Sequence, residues 1–385
     1  MSAGNLAVDV LRRISVEPTT RSALAKSLGL APSTVSAKVT ELIASGVIEE
    51  QGVAPSLGGR PGRLLSIAHR SGRTAVIALG ARHATVGLSD LSRNVVASTS
   101  IVVNVADGPE ATVDLLAKEV QALIRSTGGD LLAAGIGLPG PVDTESRTVI
   151  APARMPGWHR QDVGALLEGA LSVPTVTDND ANLAALGEFL SRTDAATNSI
   201  TVLAGTGIGT GIIARGELYR GSSYASGDIT HTKVEAANDR MCSCGNRGCL
   251  ETIASGAAIV RDLSESGIAV KNINEVLLKV RDGDPAANGV VREAGRQLGL
   301  ALSTVVNFFN PGDVYLSGGL SSANVYVAAV RSQLYERCLP LVTSGLRVEA
   351  SKPGVETGLI GAAELSIMHL LNTRTLPASL TRPAG

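Results

Sequence analysis

The 385-residue sequence predicts an α/β protein in which a winged helix-turn-helix precedes two similar α/β lobes. Three observations carry this reading. The first seventy residues hold three amphipathic helical segments and a hairpin; strand and helix patterns alternate from near residue 74 and start afresh near 199; and the length exceeds what one hydrophobic core usually serves.

Residues 5–15 form the first helical pattern, 20–28 (TRSALAKSL) the second, and PSTVSAKVTELIASG from Pro32 the third, with Gly29 between the last two. Ala25, Gly29 and Val35 fall where a helix-turn-helix needs a small residue at the helix crossing, a turn residue and a core plug. In the third helix Val35, Val39, Leu42 and Ile43 share one face, leaving Ser33, Thr34, Ser36, Ala37 and Thr40 on the other. Pro32 suits the first helical position, although Ala31 brings no capping oxygen. Val47–Gly52 and Arg63–Ala68 read as strands joined by a cationic, glycine-rich tip, Gly58-Gly59-Arg60-Pro61-Gly62-Arg63. On this reading Ser33, Thr34, Ser36 and Lys38 face double-stranded DNA, and Arg60 and Arg63 meet phosphates or a narrow minor groove. The bland alternative is a three-helix bundle with a solvated basic turn.

Beyond Thr74 come strands near 74–80, 84–90 and 94–104, a helix from Pro109 to Ser126, then strand, helix, strand and helix to about Arg192. The second series opens with strands on either side of Thr206-Gly207-Ile208-Gly209, includes a long helix near 287–309, and ends in strand DVYLSGG and helix TGLIGAAELSIMHLL. The expected domains are 1–70, a first lobe 71–190 rejoined by helix 357–372, a second lobe 191–356, and a tail 373–385 whose two prolines and low apolar content predict disorder. Two facing lobes imply a ligand cleft between them.

Composition narrows the function. Aromatic residues make up only 2%, which disfavours a stacking platform for single strands. The net charge is −1, yet eight basic residues face five acidic ones in the first seventy, so the basic excess sits at the front, where DNA contact is expected. Neither a leader peptide nor an 18-residue uncharged apolar stretch is visible, so a cytoplasmic protein without membrane contact is expected. In that reducing compartment the four cysteines are expected to ligate metal rather than pair as disulfides. Cys242, Cys244 and Cys249 lie within eight residues, and the glycines among them let the backbone converge the thiols; Cys338 is expected to be a buried apolar residue.

GIGLPGPVD (135–143), DNDANLAALGE (178–188), AGTGIGTGII (204–213), CSCGNRGCLETIASG (242–256) and YLSGG (315–319) occur in an order that resembles the ROK family of repressors, sugar kinases and uncharacterised reading frames. The resemblance spans residues 5–372, and the winged helix-turn-helix points to the repressor branch. It implies an actin-like (ribonuclease H-like) ATPase/sugar-kinase fold for the two lobes. It also implies that His231 completes a Cys3His structural zinc site, one zinc per chain, with Cys242, Cys244 and Cys249. Asn179 matches the family's sugar-binding Asn, Asp180 its catalytic Asp, and His231 and Glu251 its pocket His and Glu; His231 would serve sugar and zinc through different ring nitrogens. Asp180 also reads as the N-cap of a helix 180–192.

Two stretches depart from the family pattern. Gly-Glu-x-Gly-His reads Gly227-Asp228-Ile229-Thr230-His231, so the carboxylate of Asp228 is one methylene shorter and Thr230 is expected to crowd the turn. The kinase stretch Asp-x-Gly-Gly-Thr-Lys reads Ala78-Leu79-Gly80-Ala81-Arg82-His83, and losing both carboxylate and glycine turn should remove most phosphoryl transfer. Thr206, Gly207, Gly209 and the Gly318-Gly319 turn remain as vestigial nucleotide loops. The expected protein is a sugar-responsive regulator, a repressor with a double-stranded operator, a monosaccharide or sugar-derived effector and a homodimeric or homotetrameric state. An active sugar kinase carrying a DNA-binding module, and a regulator answering to a protein partner, are the alternatives.

Overall fold

The computed structural model describes residues 3–54, 61–68, 72–150, 152, 155–352 and 356–373. Arg60 and the tail from residue 374 onward therefore lie outside the described residues.

Helices α1 (Ala3–Val16), α2 (Arg21–Leu28) and α3 (Pro32–Ala44) pack with strands β1 (Thr19–Thr20), β2 (Ile48–Val53) and β3 (Arg63–Ile67), which form an antiparallel sheet in the order β1-β3-β2. Gly29 takes the left-handed conformation, φ 63°, that reverses the chain between α2 and α3. Leu24, Ala25, Val35, Val39 and Leu42 are buried beneath it. Strand β1 is an addition to the expected pattern. Its Thr20 pairs with Leu64 and also caps α2, accepting a hydrogen bond from Ala23 N at 3.2 Å.

The first lobe contains β4 (Arg73–Leu79), β5 (His83–Ser89), β6 (Val95–Val102), α4 (Pro109–Thr127), β7 (Leu131–Leu138), the small hairpin β8 (Val142–Asp143) and β9 (Thr148–Val149), α5 (Val163–Leu171), β10 (Thr175–Asn179) and α6 (Asp180–Leu190). Its sheet runs β10-β7-β4-β5-β6, parallel across β10, β7 and β4 and antiparallel beyond. The central β7 is apolar on both faces because helices cover both sides of the sheet. The second lobe begins with β11 (Ser199–Ala204), β12 (Ile208–Ala214) and β13 (Glu217–Leu218), continues through α7 (Glu251–Ala254), α8 (Gly256–Glu265), α9 (Ile273–Arg281) and α10 (Pro285–Phe309), and closes with β14 (Asp313–Ser317), α11 (Asn324–Arg337), α12 (Pro340–Thr343) and β15 (Arg347–Ala350). Its sheet order is β13-β12-β11-β14-β15.

Helix α13 (Thr357–Thr373) leaves the second lobe and packs on α6 and β7 of the first. The approach is close enough to require glycine. A Cβ on Gly187 would stand 1.8 Å from the Thr357 carbonyl oxygen, and one on Gly361 2.0 Å from that of Leu183. The far side of α13 receives the N-terminal domain: Val10, Leu11 and Ile14 of α1 share a continuous core with Leu359, Ile367, Leu370 and Leu371. Polar ties reinforce the seat, with Arg12 Nη2 donating to Asn372 Oδ1 at 2.6 Å and Arg93 bridging Glu364 and the Ser15 carbonyl. Helix α1 is thus bolted to the same helix that rests on α6.

Candidate ligand cleft and metal centre

A cavity of about 490 Å³ opens between the lobes. Asn179, Asp180, Asp228, His231 and Glu251 all line it, as do Gly80, Thr206, Gly207, Gly209, Gly318 and Gly319. Residues spread over some 240 positions of sequence therefore meet in one cleft. His83 and Glu356 join them, neither of which was singled out from the sequence.

Asn179 and Asp180 stand where β10 turns into α6. The capping role belongs to Asn179, not Asp180: Asn179 Oδ1 accepts from the amides of Ala181 and Asn182 at 3.0 and 3.1 Å, and Asp180 is already the first helical residue. The physical reason is backbone geometry, since Asn179 has the extended conformation a cap requires. Helix α6 also ends at Leu190 rather than residue 192. Asn179 Nδ2 donates to the Gly140 carbonyl at 2.8 Å and to Asp180 Oδ1 at 3.2 Å. Enclosure by the cleft floor pushes the Asp180 carboxyl up to about 7, because desolvation outweighs the hydrogen bonds from the Ala181 amide and Asn179 that favour its charge.

Below this pair lies Asp178, fully buried, which sequence reasoning did not select. Its partner is Arg220 from the other lobe, 2.6 Å away. No local pattern marks that pair, because 42 residues separate its members. On the lobe-two side Gly227, at φ 85°, is confined to glycine by the Thr210 carbonyl oxygen, which a Cβ would approach to 2.2 Å. Contrary to the expectation that it would crowd the turn, Thr230 is accommodated there. It is buried, and its hydroxyl donates to the Ile208 carbonyl at 2.7 Å, tying the turn to β12.

The same segment builds the metal-ligand cluster. Amides of Leu250 and Glu251 donate to the carbonyls of Thr232 and Thr230 at 2.9 and 3.0 Å, which sets His231 beside Cys249. Gly245 and Gly248, at φ 88° and 77°, fold the knuckle that returns Cys242 and Cys244 to the same place. One ligand atom from each of His231, Cys242, Cys244 and Cys249 lies within 4.8 Å of the others. Cys242 Sγ is 3.5 Å from His231 Nδ1, and Cys244 Sγ is 3.7 Å from Cys249 Sγ. That last separation fits the roughly 3.8 Å edge of a tetrahedron with 2.3 Å metal–sulfur arms. Burial, reinforced by the Cys244 and Cys242 thiols, pushes Cys249 up to about 12, so three adjacent thiolates need a cation to exist together. Glu251 Oε2 lies 3.6 Å from Cys242 Sγ and accepts from Ser243 Oγ at 3.4 Å, linking cluster and cleft. Cys338 is buried in the second-lobe core, as expected.

On the winged domain, Ser33 and Thr34 are exposed at the start of α3. Ser36 is half-buried and engaged. Arg21 Nη1 donates to its carbonyl and hydroxyl at 3.0 and 3.1 Å and to Thr40 Oγ1 at 3.0 Å, while Nη2 reaches Glu50 at 3.1 Å. Lys38 pairs with Glu41 at 2.5 Å, and Arg63 with the other oxygen of Glu50 at 3.4 Å. Arg21 and Glu50 had no sequence signal beyond their charge.

A winged helix-turn-helix seated on a two-lobed, kinase-like frame with a shared cleft defines a transcription regulator built on a sugar-kinase scaffold. The chain belongs to the ROK family, whose profile matches residues 74–368. Along 93% of its length it is 28% identical to the xylose repressor of Bacillus subtilis (strain 168), covering 94% of that protein. A solved ROK family transcriptional regulator, a homolog of the E. coli MLC protein, superposes with TM-score 0.79 at 26% identity, covering 98% of both chains. The ROK family glucokinase from Streptomyces griseus, solved with glucose and AMPPNP, superposes with TM-score 0.67 at 27% identity and covers 77% of this chain and all of its own. Regulators thus account for the whole chain and the kinase for the two lobes. Among the described residues no helix is long and apolar enough to cross a membrane.

Proposed function

We propose that this protein is a sugar-responsive repressor in which the cleft senses a monosaccharide and the winged domain holds a duplex operator. The observation that carries the reading is that Asn179, Asp180, Asp228, His231 and Glu251 converge on one cavity in a chain whose α3 exposes short polar side chains at its N-terminus. Fixed carboxylates, an amide and an imidazole are what an array of sugar hydroxyls requires. His231 turns Nδ1 to the thiols, which leaves Nε2 for a hydroxyl.

His231, Cys242, Cys244 and Cys249 would hold one zinc ion, which when bound supplies a cross-link between the two ends of the 231–249 segment. The chain's own residues do the rest: the Glu251 amide anchors to Thr230, and Thr230 to β12. Sugar binding moves the lobes about α6 and α13, and α1 rides on α13, so closure changes the relation of two winged domains in a dimer. A homodimer is the smallest unit that fits a two-fold operator, and a homotetramer satisfies it too.

Phosphoryl transfer is lost on this reading. The first phosphate loop offers no carboxylate, and its Gly80 amide is already taken by the His83 carbonyl at 2.8 Å. One observation favours the kinase reading: an Asp180 carboxyl near 7 is poised as a general base. Fluorescence anisotropy with duplexes selected from a random pool, repeated with D-xylose, D-glucose and N-acetylglucosamine, tests the proposal. We expect one sugar to shift operator affinity at least tenfold, and metal analysis to find about one zinc per chain. ATP-driven turnover of a sugar at the roughly 1–100 s⁻¹ of kinases would overturn the regulator reading.

A further inference from the structure

The loop that follows β13 leaves the second lobe and touches the first at two separate places. At its start, Arg220 Nε and Nη2 lie 2.8 and 2.6 Å from Asp178 Oδ2. The Asp178 side chain is 1% exposed, and its other oxygen accepts from the Asn179 amide at 2.7 Å and Asn182 Nδ2 at 2.9 Å. Further along, Tyr224 stands at φ 59°, a left-handed conformation that bulky residues rarely adopt and that surrounding contacts must hold in place. Its hydroxyl lies against Asp143 and Glu145 at the β8–β9 hairpin, where burial and the two carboxylates raise its pKa. Tyr224, Ala225, Ser226 and Asp228 then line the cleft together with Asn179 and Gly140.

We propose that Arg220 is a positioning residue: acting through Asp178, it sets the backbone and cap of the Asn179–Asp180 pair and straps the 219–228 loop across the cleft. Asp178 immediately precedes the pair and bonds to its first amide, so the strap cannot lift without stripping from a buried carboxylate beneath the ligand site the one cation that pairs with it among the described residues. Loop closure and the readying of Asn179 and Asp180 are therefore one event. The inference rests on the reading of the cleft as a monosaccharide site and assigns its closing element.

Hydrogen–deuterium exchange on the full chain without sugar, together with calorimetric titration of D-glucose and D-xylose, tests it. In Arg220→Met, amide exchange is expected to rise at least tenfold both at 221–228 and across the lobe boundary at 179–182, and sugar affinity to fall at least tenfold. Arg220→Lys keeps the cation and should recover most of both. The double variant Asp178→Asn/Arg220→Met removes the stranded carboxylate, so it should regain melting temperature but not sugar affinity; a merely structural pair would regain both. Unchanged exchange at 179–182 in Arg220→Met, or wild-type affinity in the double variant, would overturn the proposal. If the unmodified protein binds neither sugar, the sugar reading falls, and the exchange at 179–182 alone decides for or against the strap.

Discussion

Asp180 shows how a single side chain takes its properties from enclosure. A carboxyl that titrates about 7 when folded and 3.8 in the open chain binds its proton more tightly in the native state. Its contribution to stability is therefore complete below about pH 4 and disappears as the pH climbs through 7. Asparagine keeps the oxygen that accepts from Ala181 and has no charge to desolvate. Melting curves of Asp180→Asn are accordingly expected to gain on the wild type between pH 4.5 and pH 8 in the absence of ligand, and a constant offset across that range would refute the assignment. Gly227→Ala is the opposite case. Its Cβ would meet the Thr210 carbonyl at 2.2 Å in a backbone conformation unfriendly to alanine, so a loss of about 2–4 kcal/mol in urea unfolding is expected. The chemistry of these residues was legible in advance, because DNDAN and the thiol knuckle name their donors. Which of Asn179 and Asp180 caps α6 was not, since both types cap helices and only the backbone angle chooses.

Among elements, α6 and α13 matter most. They cross with glycine against carbonyl at Gly187 and Gly361, leaving no room for a methyl group. Gly187→Ala should force the helices apart, with a cost of about 2–4 kcal/mol and a loss of sugar response; unaltered urea midpoints would show that the contact yields freely. Both α6 and α13 were expected from the sequence, and so were the longer strands, whereas α8, α9 and α11 were not singled out. The two-residue strands β1, β8, β9 and β13 were not expected, because so short a pairing is created by its partner rather than by a pattern of its own. In the winged domain Arg21 clasps Ser36 and Thr40 of α3 and Glu50 of β2, so it fixes the helix relative to the wing. Arg21→Met is expected to weaken operator binding about tenfold while sugar titrations stay at wild-type strength. Equal operator affinity in an anisotropy assay would dismiss that role.

For the molecule as a whole, the His231, Cys242, Cys244 and Cys249 ligand set and the seat of the N-terminal domain are where distant segments meet. Stripping zinc with a high-affinity chelator is expected to lower the melting temperature by several degrees and to abolish sugar binding, because the segment carrying His231 and Glu251 loses its cross-link. A melting temperature indifferent to the chelator would mean the thiols hold no metal that matters. Arg12 and Asn372, at opposite ends of the chain, meet because α1 finds an apolar partner in α13. Both segments were expected to be helical, and neither gave any hint that it would cover the other.

What could be read from residue order alone were the properties that repeat locally or sit in a short run: helix and strand periods, the turn at Gly29, the glycine loops, and a thiol knuckle in need of a fourth donor. What awaited the folded chain were the pairings between segments far apart, namely Arg220 with Asp178, Arg21 with Ser36 and Glu50, and α1 with α13. The reason is physical. Local order follows from sterics and burial within a few turns of chain, whereas a cross-lobe ion pair depends on where two whole sheets come to rest.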